Sequence, residues 1–89
     1  MSAKEMFEKL GYELVNKAPM LYQYNDGGFI KNIEFSKTLE SITFSNYEYY
    51  NDGKAQDEHR INVRELQAIN KQVEELGWLG SDDNEKVNL

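Results

Sequence analysis

"INVRELQAINKQVEELGWLG", residues 61–80, carries the most regular hydrophobic pattern of the chain and decides the fold. Asn62 followed by Glu65 predicts a capping box at the start of a helix, and Gly77 predicts its end. At 100° per residue the apolar side chains fall within an arc of about 80°, which is typical of a helix that covers one face of a sheet. The predicted apolar stripe consists of Leu66, Ile69, Val73 and Leu76.

The rest of this helix is predicted to face solvent. Val63 and Asn70 lie on the border of the stripe, and Arg64 lies on the opposite side. Lys71 and Glu75, also on that side, have the i,i+4 spacing of an ion pair. A recognition role would require this polar side or the helix end, where Trp78 and Leu79 follow Gly77 and are expected to contact the last turn.

A second, shorter helix is predicted at residues 2–10. Ser2 with Glu5 has the spacing of a capping box, and apolar residues recur at intervals of three and four up to Leu10. Gly11 then predicts its end. A helix this short is marginal by itself, so we expect it to pack on the rest of the protein.

The middle of the chain predicts an antiparallel sheet. "NDGG" (25–28) is a strong turn signal, because Asn, Asp and Gly tolerate positive φ. Lys31 is the one exception on a strand face that otherwise carries Phe29, Ile33 and Phe35, and Ile42 and Phe44 share a face of the last strand. The four predicted strands are residues 12–17, 20–25, 29–36 and 41–51.

These patterns predict an α+β fold. A short N-terminal helix, a four-stranded antiparallel β-sheet and a long amphipathic C-terminal helix on one sheet face form a single domain, residues 1–80. The polar, turn-rich stretch 51–60 is predicted to be a loop, and residues 81–89 a disordered acidic tail.

Composition excludes several classes of function. The 89 residues include no cysteine and have a net charge of −6. A disulfide framework and thiolate metal sites are therefore excluded, and direct binding of nucleic acid is disfavoured because a basic surface is missing. Since no apolar run reaches four residues, neither a signal peptide nor a membrane span is predicted. We expect a soluble protein of the cytoplasm.

No catalytic, cofactor or metal site is predicted. His59, the single histidine, lies in the acidic stretch "QDEHR" and is interpreted as a solvated loop residue. One histidine without cysteine is a poor ligand set for zinc. The segments "NDGGF" and "NDGKAQDE" do not have the ligand spacing of a calcium loop, and no nucleophile elbow or phosphate-binding loop is present.

Tyrosines near the end of the last strand are the candidate protein-binding residues. If Ile42 and Phe44 face the helix, alternation sends Tyr47 and Tyr49 to the other face. A tyrosine surface suits a protein partner, although cross-strand packing of the aromatics or a bulge near residues 45–46 would give them a structural role. The candidate binding residues are Tyr47, Tyr49, Tyr50 and Trp78.

Two segments carry a resemblance to known sequences. "MFEKLGYELV" (6–15) and "INVRELQAINKQVEELGWL" (61–79) resemble the ends of short uncharacterised proteins of phages and prophages of Gram-positive bacteria. Those begin with a "MFEELGY"-like segment and end with an "ELKAINKQIEELGW"-like helix. The resemblance implies a genomic setting, a phage or prophage in a bacterial host cell, and no catalytic residues.

The sequence favours a non-enzymatic accessory factor that binds a host or phage protein, with homodimerisation through the tyrosine face or the Trp78 end as a further interpretation. One alternative is an acidic DNA mimic that inhibits a nucleic-acid enzyme of the restriction or CRISPR type. Another is a small hydrolase that uses carboxylates and a divalent metal. The carboxylates of a mimic would be Glu34, Glu40, Glu48, Asp52, Asp57 and Glu58.

Overall fold

The computed structural model describes residues 1–48 and 60–79, apart from the side chain of Glu48. Each strand pairs antiparallel with the next one along the chain, so the sheet is a four-stranded meander. The predicted α+β fold is confirmed. The elements are α1 (Ala3–Lys9), β1 (Tyr12–Lys17), β2 (Met20–Asn25), β3 (Phe29–Ser36), β4 (Ser41–Glu48) and α2 (Val63–Glu75).

Both helices begin with the predicted capping boxes. In α1 the Ser2 hydroxyl accepts from the amide of Glu5 at 3.1 Å, and the Glu5 carboxylate accepts from the amide of Ser2 at 2.8 Å. In α2 the same exchange joins Asn62 and Glu65, at 2.7 and 2.9 Å. Each box satisfies two amides that the first helical turn leaves without partners.

Helix α2 is shorter than the segment that predicted it, with 13 residues from Val63 to Glu75. Gly77 ends it with φ +79°. The amide of Trp78 donates to the carbonyl of Val73 at 3.1 Å, and that of Gly77 to the carbonyl of Glu74 at 3.0 Å. This pair of bonds is a Schellman motif, so the predicted stop signal is confirmed.

The turn between β2 and β3 is held by the side chains that predicted it. The Asp26 carboxylate accepts from the amides of Gly28 and Phe29 at 3.0 and 2.9 Å, and Asn25 Oδ1 accepts from the amide of Gly27 at 2.9 Å. The remaining predicted loop, residues 51–60 except Arg60, and the predicted tail 81–89 lie outside the described residues.

Both helices pack on the same face of the sheet. Phe7 of α1 stacks on Tyr22 of β2 with ring centroids 4.1 Å apart, and its edge meets Phe35 of β3. Helix α2 lies beside α1 on this face, where the Glu75 carboxylate accepts from the amide of Ala3 at 2.9 Å. We call this side of the sheet the helix face and the other side the open face. The buried core cluster consists of Phe7, Tyr12, Tyr22, Ile33, Phe35, Ala68 and Ile69.

The predicted apolar stripe of α2 is only partly correct. Ile69 is buried, and Val73 and Leu76 are partly buried against the core, but Leu66 is 49% exposed. The most buried positions are instead Glu65, Ala68, Ile69 and Gln72. At 100° per residue this face lies about 70° around the helix from the predicted stripe. Two polar side chains face the sheet because tyrosines from β1 and β2 supply hydrogen bonds to them.

The polar side of α2 also differs from prediction in one pairing. Lys71 forms its ion pair with Glu74, at 3.0 Å, rather than with Glu75. Glu75 is engaged at the N-terminus of α1, where its charge complements the helix dipole.

Candidate protein-binding face

The register of β4 places Tyr47, the one candidate tyrosine within the described residues, on the open face. Ile42 pairs with Phe35 and Phe44 with Ile33, so both point to the helix face, where they pack against the core. Tyr47 pairs with Ile30 on the opposite side and is 37% exposed. The pairing with β3 runs without interruption from residue 41 to 48, so the bulge considered near residues 45–46 is absent. The alternation that predicted the position of Tyr47 is confirmed.

Polar side chains form a line across the centre of the open face. The Gln23 amide donates to Asn32 Oδ1 at 3.0 Å, and the Asn32 amide donates to the Ser45 hydroxyl at 3.4 Å. These residues are direct neighbours on β2, β3 and β4. The hydrogen bonds fix three polar side chains in place without a partner protein.

Apolar side chains flank this polar line on both sides. Ile30 and Tyr47 are neighbours on one side, and Leu21 lies on the other beside Glu34. Leu21 and Ile30 are half-buried although neither described helix packs on this face. The open face therefore combines aromatic, aliphatic and hydrogen-bonded amide groups, as protein interfaces do.

The charged side chains that the strand pairing assigns to the open face are acidic. Glu13 and Glu34 lie here, whereas Lys31 points to the helix face. Of the carboxylates considered for DNA mimicry, Glu34 is on this face, Glu40 is in the turn before β4 and residue 48 ends that strand. Asp52, Asp57 and Glu58 lie outside the described residues. Mimicry therefore stays a prediction without support from an observed array.

Trp78 is not part of this face. Its ring lies 6.3 Å from that of Phe35, centroid to centroid, and it is half-buried against the core on the helix side. The structure therefore separates Trp78 from Tyr47 by the thickness of the sheet. Tyr49, Tyr50 and His59 lie outside the described residues.

A buried polar cluster beneath α2 was not predicted from the sequence. The Tyr12 hydroxyl donates to Glu65 Oε2 at 2.5 Å, and Lys31 Nζ donates to the same oxygen at 2.7 Å. Glu65 Oε1 accepts from the amide of Asn62. Lys31, the exception on its strand face, is thus explained by the carboxylate above it. Two features of the sequence could have indicated this cluster. Lys31 interrupts an apolar strand face, and Glu65 lies just outside the predicted apolar stripe of α2.

The electrostatics of this cluster favour a charged Glu65 and a neutral Tyr12. Burial alone would raise the pKa of Glu65, but hydrogen bonds from Lys31, Tyr12 and the Asn62 amide, with the charge of Lys31, hold the pKa below its usual range. Burial, and then the hydrogen bond to Glu65, raise the pKa of the Tyr12 phenol. Because both carboxylate oxygens are engaged and the side chain is buried, the cluster holds α2 against the sheet and offers no accessible catalytic acid.

Two further observations concern metals and membranes. Within residues 1–48 and 60–79, His, Asp and Glu side chains nowhere gather in a group of three that would hold a metal ion. In the same part of the chain neither helix has the length and apolar content to cross a membrane.

Comparison with protein-family models, with curated proteins and with solved structures gives no match to this chain.

Proposed function

We propose that this chain is a non-enzymatic accessory factor of a phage or prophage, and that it binds a host or phage protein in the bacterial cytoplasm through the open face. The observation that carries the proposal is the exposed Tyr47 beside Ile30, on a sheet face that neither described helix covers. Antiparallel sheets often leave one face wet. Here that face carries a tyrosine, a residue type that is enriched among binding hot spots.

The polar line across the open face supports the same proposal. The side chains of Gln23, Asn32 and Ser45 already hydrogen-bond to one another, so a partner that covers them leaves few polar atoms unpaired. Their fixed geometry also reduces the conformational entropy that is lost on binding. The phage setting rests on the resemblance of the two terminal segments.

The test compares tagged wild-type protein with Tyr47→Ser and Val63→Ser as baits in a lysate of a Gram-positive host. Val63 is exposed on α2, on the other side of the molecule, so its variant is a matched loss of apolar surface. We expect a protein that binds wild type and Val63→Ser but not Tyr47→Ser. With that protein purified, titration calorimetry should give a Kd for Tyr47→Ser at least about tenfold weaker, the effect of a hot-spot residue.

Stability measurements separate a binding role of Tyr47 from a structural one. The cross-strand contact with Ile30 is worth at most about 1 kcal/mol, so Tyr47→Ser should fold normally. Unimpaired binding by Tyr47→Ser would contradict the proposed site. Loss of binding together with loss of the folded state would assign Tyr47 to the fold instead.

A further inference from the structure

Within residues 1–48 and 60–79, strand β4 forms one edge of the sheet. Among the described residues its one strand neighbour is β3, and the pairing is regular along all eight residues. The strand "SITFSNYE" contains no proline, glycine or lysine, and its single charged residue is the last one, Glu48. A long, regular, nearly uncharged edge is a template for another strand.

The other edge of the sheet is protected. The register of β1 shifts between Leu14 and Asn16, which bends the strand. Glu13 and Lys17 add charge to this edge, and Pro19 follows directly in the turn. Helix α1 also packs beside β1, with the Phe7 and Tyr12 rings 5.5 Å apart. Of the two edges that the described strands form, β4 therefore has the sequence and regularity better suited to pairing with another strand.

One exposed apolar side chain of α2, Leu66, lies on the flank away from α1. Glu75 contacts α1, and α1 lies over the β1 side of the sheet. Leu66 is nine residues before Glu75, which places it about 180° away around the helix. The 49% exposed Leu66 is therefore on the side of α2 that faces the β4 edge.

From these features we infer that two copies of this chain associate through antiparallel pairing of β4 with β4. A two-fold axis perpendicular to the sheet makes the contact self-complementary and keeps both helix layers on one side. The flank of α2 that carries Leu66 in one copy then faces its equivalent in the other. The contact thus adds apolar burial to the backbone hydrogen bonds.

The composition of β4 selects the register. The helix faces of the two copies must lie on the same side of the joined sheet. Even-numbered residues of β4 therefore pair with even-numbered residues of the other copy, and odd-numbered with odd-numbered. An axis at Phe44 pairs aromatic with aromatic and leaves Glu48 outside the ladder, whereas an axis at Ser45 pairs Ile42 with Glu48. The selected pairs are Phe44 with Phe44, Thr43 with Ser45, Ile42 with Asn46, and Ser41 with Tyr47.

The dimer would contain one continuous eight-stranded sheet. Its two open faces join into a single surface that carries Tyr47 twice, each beside Ser41 of the other copy. A partner with two-fold symmetry would meet both copies at once, which raises its apparent affinity through effective concentration. The dimer itself does not depend on the proposed protein-binding function.

Sedimentation equilibrium of the full chain over a concentration series tests the inference, with charge variants on β4. Thr43→Lys/Ser45→Lys brings like charges opposite each other in the selected register, and Thr43→Lys/Ser45→Glu brings opposite charges together. Val15→Lys, on the protected β1 edge, is the control for added charge. Wild type, Val15→Lys and the Lys/Glu variant should reach twice the mass of one chain. The Lys/Lys variant should stay monomeric at concentrations at least tenfold higher.

Hydrogen exchange of wild type provides a second readout that needs no variant. Amides of β4 should become more protected as the concentration rises through the dimer transition, whereas those of β1 should not change. A monomeric mass for wild type at all concentrations would overturn the inference. So would a Lys/Lys variant that is folded by circular dichroism and still dimeric, or exchange in β4 that is independent of concentration.

Discussion

The phenol hydroxyl of Tyr22 on β2 donates a hydrogen bond of 2.6 Å to Oε1 of Gln72 on α2, and both side chains are buried. The two residues are 50 positions apart in the chain. The bond joins the C-terminal half of α2 to an inner strand of the sheet, beside the stacked ring of Phe7. It fixes both the rotation of α2 about its axis and its position along the strands.

Replacing Gln72 with Leu should destabilise the protein although it adds apolar volume at a buried position. The substitution leaves the Tyr22 hydroxyl buried without an acceptor, which costs about 1–3 kcal/mol. Tyr22→Phe should cost a similar amount, because the Gln72 amide then loses its partner. Urea unfolding of each variant gives the free energies.

The double variant Tyr22→Phe/Gln72→Leu supplies the control for this pair. Since both polar groups are removed together, the double variant should lose less unfolding free energy than the two single variants combined, by at least about 1 kcal/mol. Strictly additive losses would show that the hydrogen bond does not couple the two residues.

The charge of Glu65 is predicted to stabilise the fold at neutral pH. Glu65→Gln keeps a side chain that serves in a capping box. It leaves the ammonium group of Lys31, whose side chain is only 18% exposed, without its negatively charged partner. An orphaned buried charge costs about 3 kcal/mol at the lower end of the known range. Lys31→Met/Glu65→Gln should recover part of this loss in urea unfolding at pH 7.

The same substitution should lose its effect in acid. The folded pKa of Glu65 is held below its ordinary value of 4.5, so the carboxylate stabilises the native state above that value. The contribution is lost as the pH falls from 4.5 through the lower native pKa. Unfolding free energies of wild type and Glu65→Gln should therefore converge progressively as the pH falls below 4.5. A constant difference from pH 7 to pH 3 would contradict the role of the charge.

Alkaline pH should destabilise the protein through its buried phenols. Burial, with the nearby carboxylates of Glu75 and Glu8, raises the pKa of Tyr22 to about 12 from its ordinary 10.0. Because the folded pKa is raised, the native state retains a proton that the unfolded chain releases, and stability falls as the pH rises from 10 towards 12. Each such tyrosine contributes a slope of up to about 1.4 kcal/mol per pH unit.

Tyr22→Phe isolates this contribution from other titrations. All other side chains are the same in both proteins, so the difference in slope between about pH 10 and the raised pKa of Tyr22, about 12, reports Tyr22. Wild type should lose stability more steeply than the variant, and absorbance at 295 nm should show delayed ionisation of the buried phenols. Equal slopes would mean that Tyr22 ionises as readily in the folded protein as in the unfolded chain.

The features that the sequence predicted correctly depend on local interactions. The capping boxes of Ser2 and Asn62 join residues three apart, and the turn at Asp26 is closed by its own neighbours. Regular alternation along β4 was sufficient to place Tyr47, because no bulge interrupts the strand.

The orientation of α2 could not be predicted because it depends on distant polar partners. Hydrophobicity places Leu66 inside and Glu65 outside, whereas the structure does the reverse. The hydroxyl that satisfies Glu65 comes from Tyr12, 53 residues earlier. A helical wheel carries no information about such a partner, so the predicted stripe missed the buried polar face and with it the cluster around Lys31.

Gly77 provides a test of the C-terminal signal of α2 in isolation from packing. Its φ is +79°, and a Cβ at this position would meet no atom within 4 Å. Gly77→Ala should therefore lose about 1 kcal/mol from backbone strain alone, and Gly77→Asn should lose less because asparagine tolerates this conformation. Thermal unfolding of the two variants measures the difference. The strain would also weaken the Schellman bond from Trp78 to Val73, so hydrogen exchange at the Trp78 amide should accelerate in the alanine variant. If alanine and asparagine cost the same, the loss would arise from changed solvation or side-chain contacts rather than from the left-handed backbone.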